Sequence, residues 1–155
     1  MSGPKKAEPG KVVPPAVTPA VALDERGLPV GYGFRPEWEL TPREVRDMLA
    51  AGAGGSAGGG APPLLLDCRR DDEWAFNRVA GAMHIPMSEI ERRGDDLRDA
   101  LEDAPGRGVV VYCHHGVRSL RVTAALRAMG FAAVKSMAGG IDAWSLGVDA
   151  GVPRY

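Results

Sequence analysis

The residues with the clearest chemical content stand together as Cys113-His114-His115-Gly116-Val117-Arg118-Ser119, directly after the apolar run Val109-Val110-Val111-Tyr112. A strand that reaches a helix through so short a loop must curl, and curling turns successive backbone amides inward as a nest for an anion. The first turn of the following helix adds unpaired N–H groups and about half a positive charge. Arg118 adds a permanent cation. A thiol at the centre of such a bowl has its thiolate stabilised, the condition for nucleophilic attack on sulfur, and a persulfide anion formed there would occupy the same bowl. The plainer reading of Cys113, a strand-end cysteine that only packs, leaves the neighbouring arginine and helix start without a purpose. Adjacent Cys113, His114 and His115 seldom converge on one tetrahedral ion, and no fourth ligand is in view. No metal and no cofactor are therefore expected, and the two imidazoles are read as pocket walls that offer donors to an anionic substrate.

A rigid frame must hold this loop. Gly108 to Tyr112 is the clearest strand, while Ser119 to Met129 carries apolar residues at Leu120, Ala124, Leu126 and Met129 and meets Gly130, the pattern of a helix and its stop. Leu64-Leu65-Leu66 runs into Asp67-Cys68-Arg69 as a buried parallel strand does at a polar edge. Thr41-Pro42-Arg43-Glu44 predicts a helix start with Thr41 and Glu44 as reciprocal caps, continuing to about Ala51. Asp71 to Phe76 reads as a short helix, Ala82 to Ile85 as a brief strand closed by Pro86, and Ser88 with Glu91 as the capped start of a helix to about Leu101. Phe131 to Met137 reads as another strand, Gly139-Gly140 as a turn and Ile141 to Leu146 as a last helix. Strands alternating with helices predict an α/β fold, a parallel sheet covered on both faces. Ligands of such sheets sit beyond the carboxyl ends of the strands, which is where Cys113 falls.

Composition narrows the partners. A chain of 155 residues, 45% hydrophobic, suits one domain with one core. Lys plus Arg total 19 against 20 for Asp plus Glu, so the net charge of -1 provides no basic field for nucleic acid or an anionic membrane. Two cysteines are too few for a disulfide scaffold and fit a reducing cytoplasm. The apolar stretch after Lys5 and Lys6 is cut by Pro14, Pro15 and Pro19, so neither a signal peptide nor a membrane span is expected. The Pro-rich residues 1–21 read as a disordered tail, and the Gly/Ala/Ser run within 52–61 as a flexible loop.

Four segments, in order, resemble the rhodanese family: Leu65-Leu66-Asp67-Cys68-Arg69, Gly81-Ala82-Met83-His84-Ile85-Pro86, the loop Cys113 to Arg118, and Ala138-Gly139-Gly140-Ile141-Asp142-Ala143-Trp144. The resemblance implies a rhodanese-like domain over 38–146, built on a five-stranded, mainly parallel sheet flanked by helices, with 147–155 as a C-terminal tail. It implies Cys113 as the catalytic cysteine, with His114, His115, Gly116, Val117, Arg118 and Ser119 forming the substrate pocket. It also implies partners: a small sulfur donor or acceptor, or a sulfur-carrier protein. Residues Val148 to Tyr155 look like the ends of rhodanese domains fused to enzymes that activate ubiquitin-like sulfur carriers. Two departures stand out: Asn77-Arg78-Val79-Ala80, where the family often has Gly-His-Ile-Pro, and Cys68, where it often has valine.

The resemblance points to a sulfurtransferase that loads Cys113 from thiosulfate or a protein persulfide and passes the sulfur to cyanide, a thiol or a carrier protein. Two other readings stay open, a catalytically idle binding module of the same fold and a cysteine phosphatase. The related phosphatases place five residues between cysteine and arginine, whereas four separate Cys113 from Arg118. Elsewhere the structural readings lead. Cys68 is expected to be buried in a strand rather than to act as a resolving thiol. His84 is expected to be structural, Asp67 and Arg69 to pair or brace the loop, and Trp38, Trp74 and Trp144 to pack.

Overall fold

The computed structural model describes residues 20–53 and 60–155. The expected N-terminal tail and glycine-rich loop lie largely outside the described residues. Within them five strands, β1 (Glu39–Leu40), β2 (Leu64–Asp67), β3 (Met83–His84), β4 (Val109–Tyr112) and β5 (Val134–Met137), form one sheet in the order β1-β5-β4-β2-β3. Every pairing is parallel. The helices are α1 (Pro42–Ala53), α2 (Asp71–Phe76), α3 (Gly94–Glu102), α4 (Val117–Ala128) and α5 (Gly140–Gly147). No helix among the described residues is long and apolar enough to cross a membrane.

Side chains of a strand alternate between the two faces of its sheet, so the central strands must be apolar throughout if both faces are covered. Strands β2 and β4 are buried at every position. Leu64, Leu66, Val109 and Val111 pack with Leu97 of α3 and with Val122 and Leu126 of α4. Leu65, Val110 and Tyr112 turn the other way, onto Val45 of α1 and Ile141 and Trp144 of α5. The same alternation carries Cys68 and Cys113, one residue beyond their strands, into the first of these clusters.

The Thr41 cap forms as expected: the Thr41 amide donates to Glu44 Oε2 at 2.7 Å and the Glu44 amide to Thr41 Oγ1 at 3.2 Å. The helix expected to begin at Ser88 is corrected. Met87–Glu89 makes a single 3₁₀ turn and α3 starts only at Gly94. Gly94 is where Met129 presses on the backbone, for a Cβ there would lie 2.5 Å from its Cε. Residues 22–37, to which the sequence reading assigned no element, are anchored by a few side chains. Leu28 is fully buried against Ala138 and Ala143, with Tyr32 and Phe34 alongside.

Candidate active site

The loop that follows β4 is held by its own helix, by α5 and by Tyr32 behind it. Its own helix begins at Gly116, which caps α4 at φ 101, a backbone conformation that favours glycine. A Cβ at Gly116 would also meet the Tyr32 hydroxyl at 2.6 Å. On the side of α5, the Ile141 amide donates to the Cys113 carbonyl at 2.8 Å and the Asp142 amide to the His114 carbonyl at 3.1 Å. That approach requires Gly140, whose Cβ would fall 2.4 Å from both carbonyl oxygens. Behind the loop, the Tyr32 hydroxyl donates to Glu39 Oε1 at 2.5 Å, and the Arg35 amide reaches Glu39 Oε2 at 2.8 Å. Burial, reinforced by the Glu39 bond, raises the Tyr32 phenol far above its ordinary range, so it serves as a fixed donor.

Cys113 is 1% exposed, and its sulfur lies within the loop. The Gly116 amide donates to Sγ at 3.1 Å. Ser119 Oγ is 3.3 Å from Sγ and receives the Ser136 hydroxyl at 2.8 Å, which leaves the Ser119 proton free to face the sulfur. Both serines are fully buried. The sulfur is thus met by one backbone amide and one directed hydroxyl.

Arg118 does not stand free at the rim. Its Nη1 and Nη2 donate to Glu73 Oε2 and Oε1 at 2.7 and 2.8 Å. Glu73, 7% exposed, also accepts from the Arg70 amide at 3.1 Å and the Tyr155 hydroxyl at 2.7 Å. The Arg118 bond, against the opposing cost of burial, holds the Glu73 carboxyl far below the usual carboxylate range, and Tyr155 adds to the effect. The Arg118 charge is therefore already partnered by Glu73.

The two histidine rings lie tilted by 30° with centroids 3.7 Å apart, and Tyr155 stacks on His114 at 3.9 Å. Burial first, and then the neighbouring His115, lower the His114 pKa below the ordinary histidine value. Val117 projects outward at 62% exposure. His114, His115 and Asp142 bring ligand-type atoms within 4.8 Å of one another. Arg154 takes both Asp142 oxygens, at 2.7 and 3.2 Å, and a guanidinium so placed opposes a cation at that point.

Outside the loop, Arg69 is completely buried and bonds Asp67 from Nε and Nη2, with the shortest contact at 2.6 Å. It also bonds Asn77 Oδ1 at 2.7 Å and the Tyr155 hydroxyl at 3.0 Å. The departure at Asn77 to Ala80 thus has structural work: Asn77 seats Arg69, and the Val79 amide donates to the Tyr112 hydroxyl at 3.1 Å. His84 donates to the Arg69 carbonyl at 2.8 Å and stacks on Trp74. Trp144 packs in the core, and Trp38 lies beneath the Arg127 guanidinium. Cys68 is 1% exposed, and burial, with the nearby Cys113 charge, pushes its thiol far above the ordinary range. Sequence reasoning missed Tyr32, Glu39, Glu73 and Tyr155 as members of the site, for each lies far from the loop in the chain. The acidic start of α2 marked Glu73 as a helix-start acid and gave no sign of its partner Arg118.

Comparison with known proteins identifies the family. The rhodanese-like domain profile matches residues 41–146. The thiosulfate sulfurtransferase GlpE of Haemophilus influenzae is 31% identical over 109 residues, which cover 70% of this chain and 89% of that protein. The probable adenylyltransferase/sulfurtransferase MoeZ of Mycobacterium tuberculosis is 37% identical over 106 residues, which cover 68% of this chain but only 24% of that protein. Among solved structures, the human single-domain sulfurtransferase TSTD1 superposes with a TM-score of 0.54 at 28% identity, covering 68% of this chain and 93% of that one. A loop closed on one cysteine at the carboxyl end of a parallel sheet, found where this family profile matches, places the chain in the rhodanese-like domain family, among sulfurtransferase relatives.

Proposed function

We propose that the chain is a sulfurtransferase that carries sulfur as a persulfide on Cys113. The observation that carries the reading is the placing of Cys113 Sγ, with the Gly116 amide at 3.1 Å and the Ser119 hydroxyl at 3.3 Å. The Cys113 thiolate attacks the outer sulfur of thiosulfate. The new Sγ–S bond forms as the S–S bond of thiosulfate breaks, and sulfite leaves with the electron pair. A thiophilic acceptor such as cyanide or a thiol then attacks the terminal sulfur, and the electron pair returns to Sγ as thiolate. No external oxidant or reductant enters, and ping-pong kinetics follow. A protein persulfide serves equally as donor in this scheme. A sulfur-carrier protein as acceptor is supported by the resemblance of Val148 to Tyr155 and by relatives whose names join adenylyl and sulfur transfer. The amides of His114 to Ser119 and the seated Arg118 form the pocket for the anionic donor, and a reducing cytoplasm keeps the thiol available.

Mass spectrometry after thiosulfate treatment tests the reading. One sulfur atom should be gained on Cys113, Cys113→Ser should gain none and form no thiocyanate with cyanide, and Cys68→Ser should keep most of the turnover. The reading fails if a folded Cys113→Ser variant turns over while Cys68→Ser is dead. An aryl phosphate assayed with the same preparation separates the phosphatase alternative. Cys113-dependent phosphate release without sulfur transfer would replace this proposal.

A further inference from the structure

The cycle above leaves residues 152–155 without a task, yet they cross from α5 to α2 over the loop. Arg154 grips Asp142, the residue whose amide holds the His114 carbonyl. The Pro153 carbonyl accepts from Asn77 Nδ2. Tyr155 then enters the site. Its hydroxyl accepts from Arg69 Nη1 at 3.0 Å and donates to Glu73 Oε1 at 2.7 Å. Arg69 is fully buried and fastened by Asp67 and Asn77, so the hydroxyl has an anchored donor behind it and Glu73 in front. Glu73 in turn holds Arg118 with both oxygens. The Tyr155 ring lies nearly parallel to His114, at 14°, and meets the edge of Phe76 at 74°. This ring is 46% exposed, which sets it apart from a residue that merely fills the core.

We propose that Tyr155 is a positioning residue of the sulfur-transfer site: its hydroxyl fixes the Glu73 carboxylate that seats Arg118, and its ring fixes His114 as a wall above Cys113. The inference rests on Cys113 being the sulfur-bearing residue. Two separable consequences follow. Without the hydroxyl, Glu73 Oε1 keeps only Arg118, the pair gains freedom, and the donor anion meets a looser pocket. Without the ring, His114 gains solvent on one face. Its titration then rises toward the ordinary histidine value, with His115 and Arg118 still acting to lower it and Asp142 and Glu73 to raise it.

The experiment compares Tyr155→Phe and Tyr155→Ala with the parent chain and with Cys113→Ser, using thiosulfate–cyanide kinetics, NMR titration of the His114 ring, and circular dichroism to confirm folding. Tyr155→Phe should lower kcat/KM for thiosulfate about three- to tenfold, the range for one lost hydrogen bond, chiefly through KM, and leave the His114 titration in place. Tyr155→Ala should show at least that loss and also raise the His114 midpoint. Phenylalanine thus rescues the histidine but not the anion. If both folded variants keep parental kinetics and an unmoved His114 titration while Cys113→Ser is inert, the inference is overturned and the proposed function stands. If Tyr155→Phe alone matches the parent in kinetics, the hydroxyl role is overturned. Activity in Cys113→Ser would overturn the proposed function itself.

Discussion

At the scale of single residues, the sulfur of Cys113 depends on a short line of hydroxyls that ends at β5. Ser136 donates to Ser119, and Ser119 faces Sγ. In the proposed cycle this sulfur carries charge, and removing a hydrogen-bond donor from it costs about 1–2 kcal/mol, so Ser119→Ala should lower kcat/KM for thiosulfate about five- to thirtyfold. Ser136→Ala leaves Ser119 its hydroxyl but removes the donor that aims it, and a smaller loss in the same assay is expected. Parental kinetics in a folded Ser136→Ala variant would show that Ser119 needs no orientation. Cys113, Gly116, Arg118 and Ser119 could be named from the sequence because one strand, one loop and one helix start carry them all. Glu73 could not, since nothing in local spacing announces that an acid in α2 will meet Arg118 across 45 positions.

At the scale of elements, α5 closes the site by offering its first amides to the loop carbonyls. Gly140 makes this possible, and its φ of 61 adds a second reason for glycine. Gly140→Ala forces either the loop or the helix to move, for a Cβ 2.4 Å from two backbone oxygens cannot be relieved by turning a side chain. A loss of about 2–4 kcal/mol in thermal or denaturant unfolding is expected, together with most of the sulfurtransferase turnover. Unchanged unfolding and turnover would mean that the loop does not need this approach. The core elements were legible because continuous apolar runs make buried parallel strands and a 3.6-residue period makes covering helices. The start of α3 was not, for the Ser88 and Glu91 pattern lies in a 3₁₀ turn and the chain that follows, ahead of the helix at Gly94. Residues 22–37 gave no periodic signal because they anchor through isolated side chains, Leu28 and Tyr32, rather than along a face.

At the scale of the molecule, the pair Glu73 and Arg118 joins α2 to α4 and so ties two parts of the fold together. Since the folded Glu73 carboxyl lies below its unfolded value, about 4.3, the stability from this pair is fully present above that pH and is lost as pH falls toward the folded value. Glu73→Gln should therefore cost about 2–4 kcal/mol near pH 7. The gap between the two unfolding curves should narrow steadily below about pH 4. A gap that stays constant down to pH 2 would count against the pair. The hold of α5 on the loop bears also on how the protein is made. Residues 140–142 are translated after Cys113, so a nascent chain that has emerged only that far carries Cys113 without the amides that clamp its loop. At roughly 5–20 residues per second that interval lasts a few seconds at most. Until α5 docks, the carbonyls of Cys113 and His114 lack the amides that hold them, so the loop around Cys113 takes its final form only with the last helix.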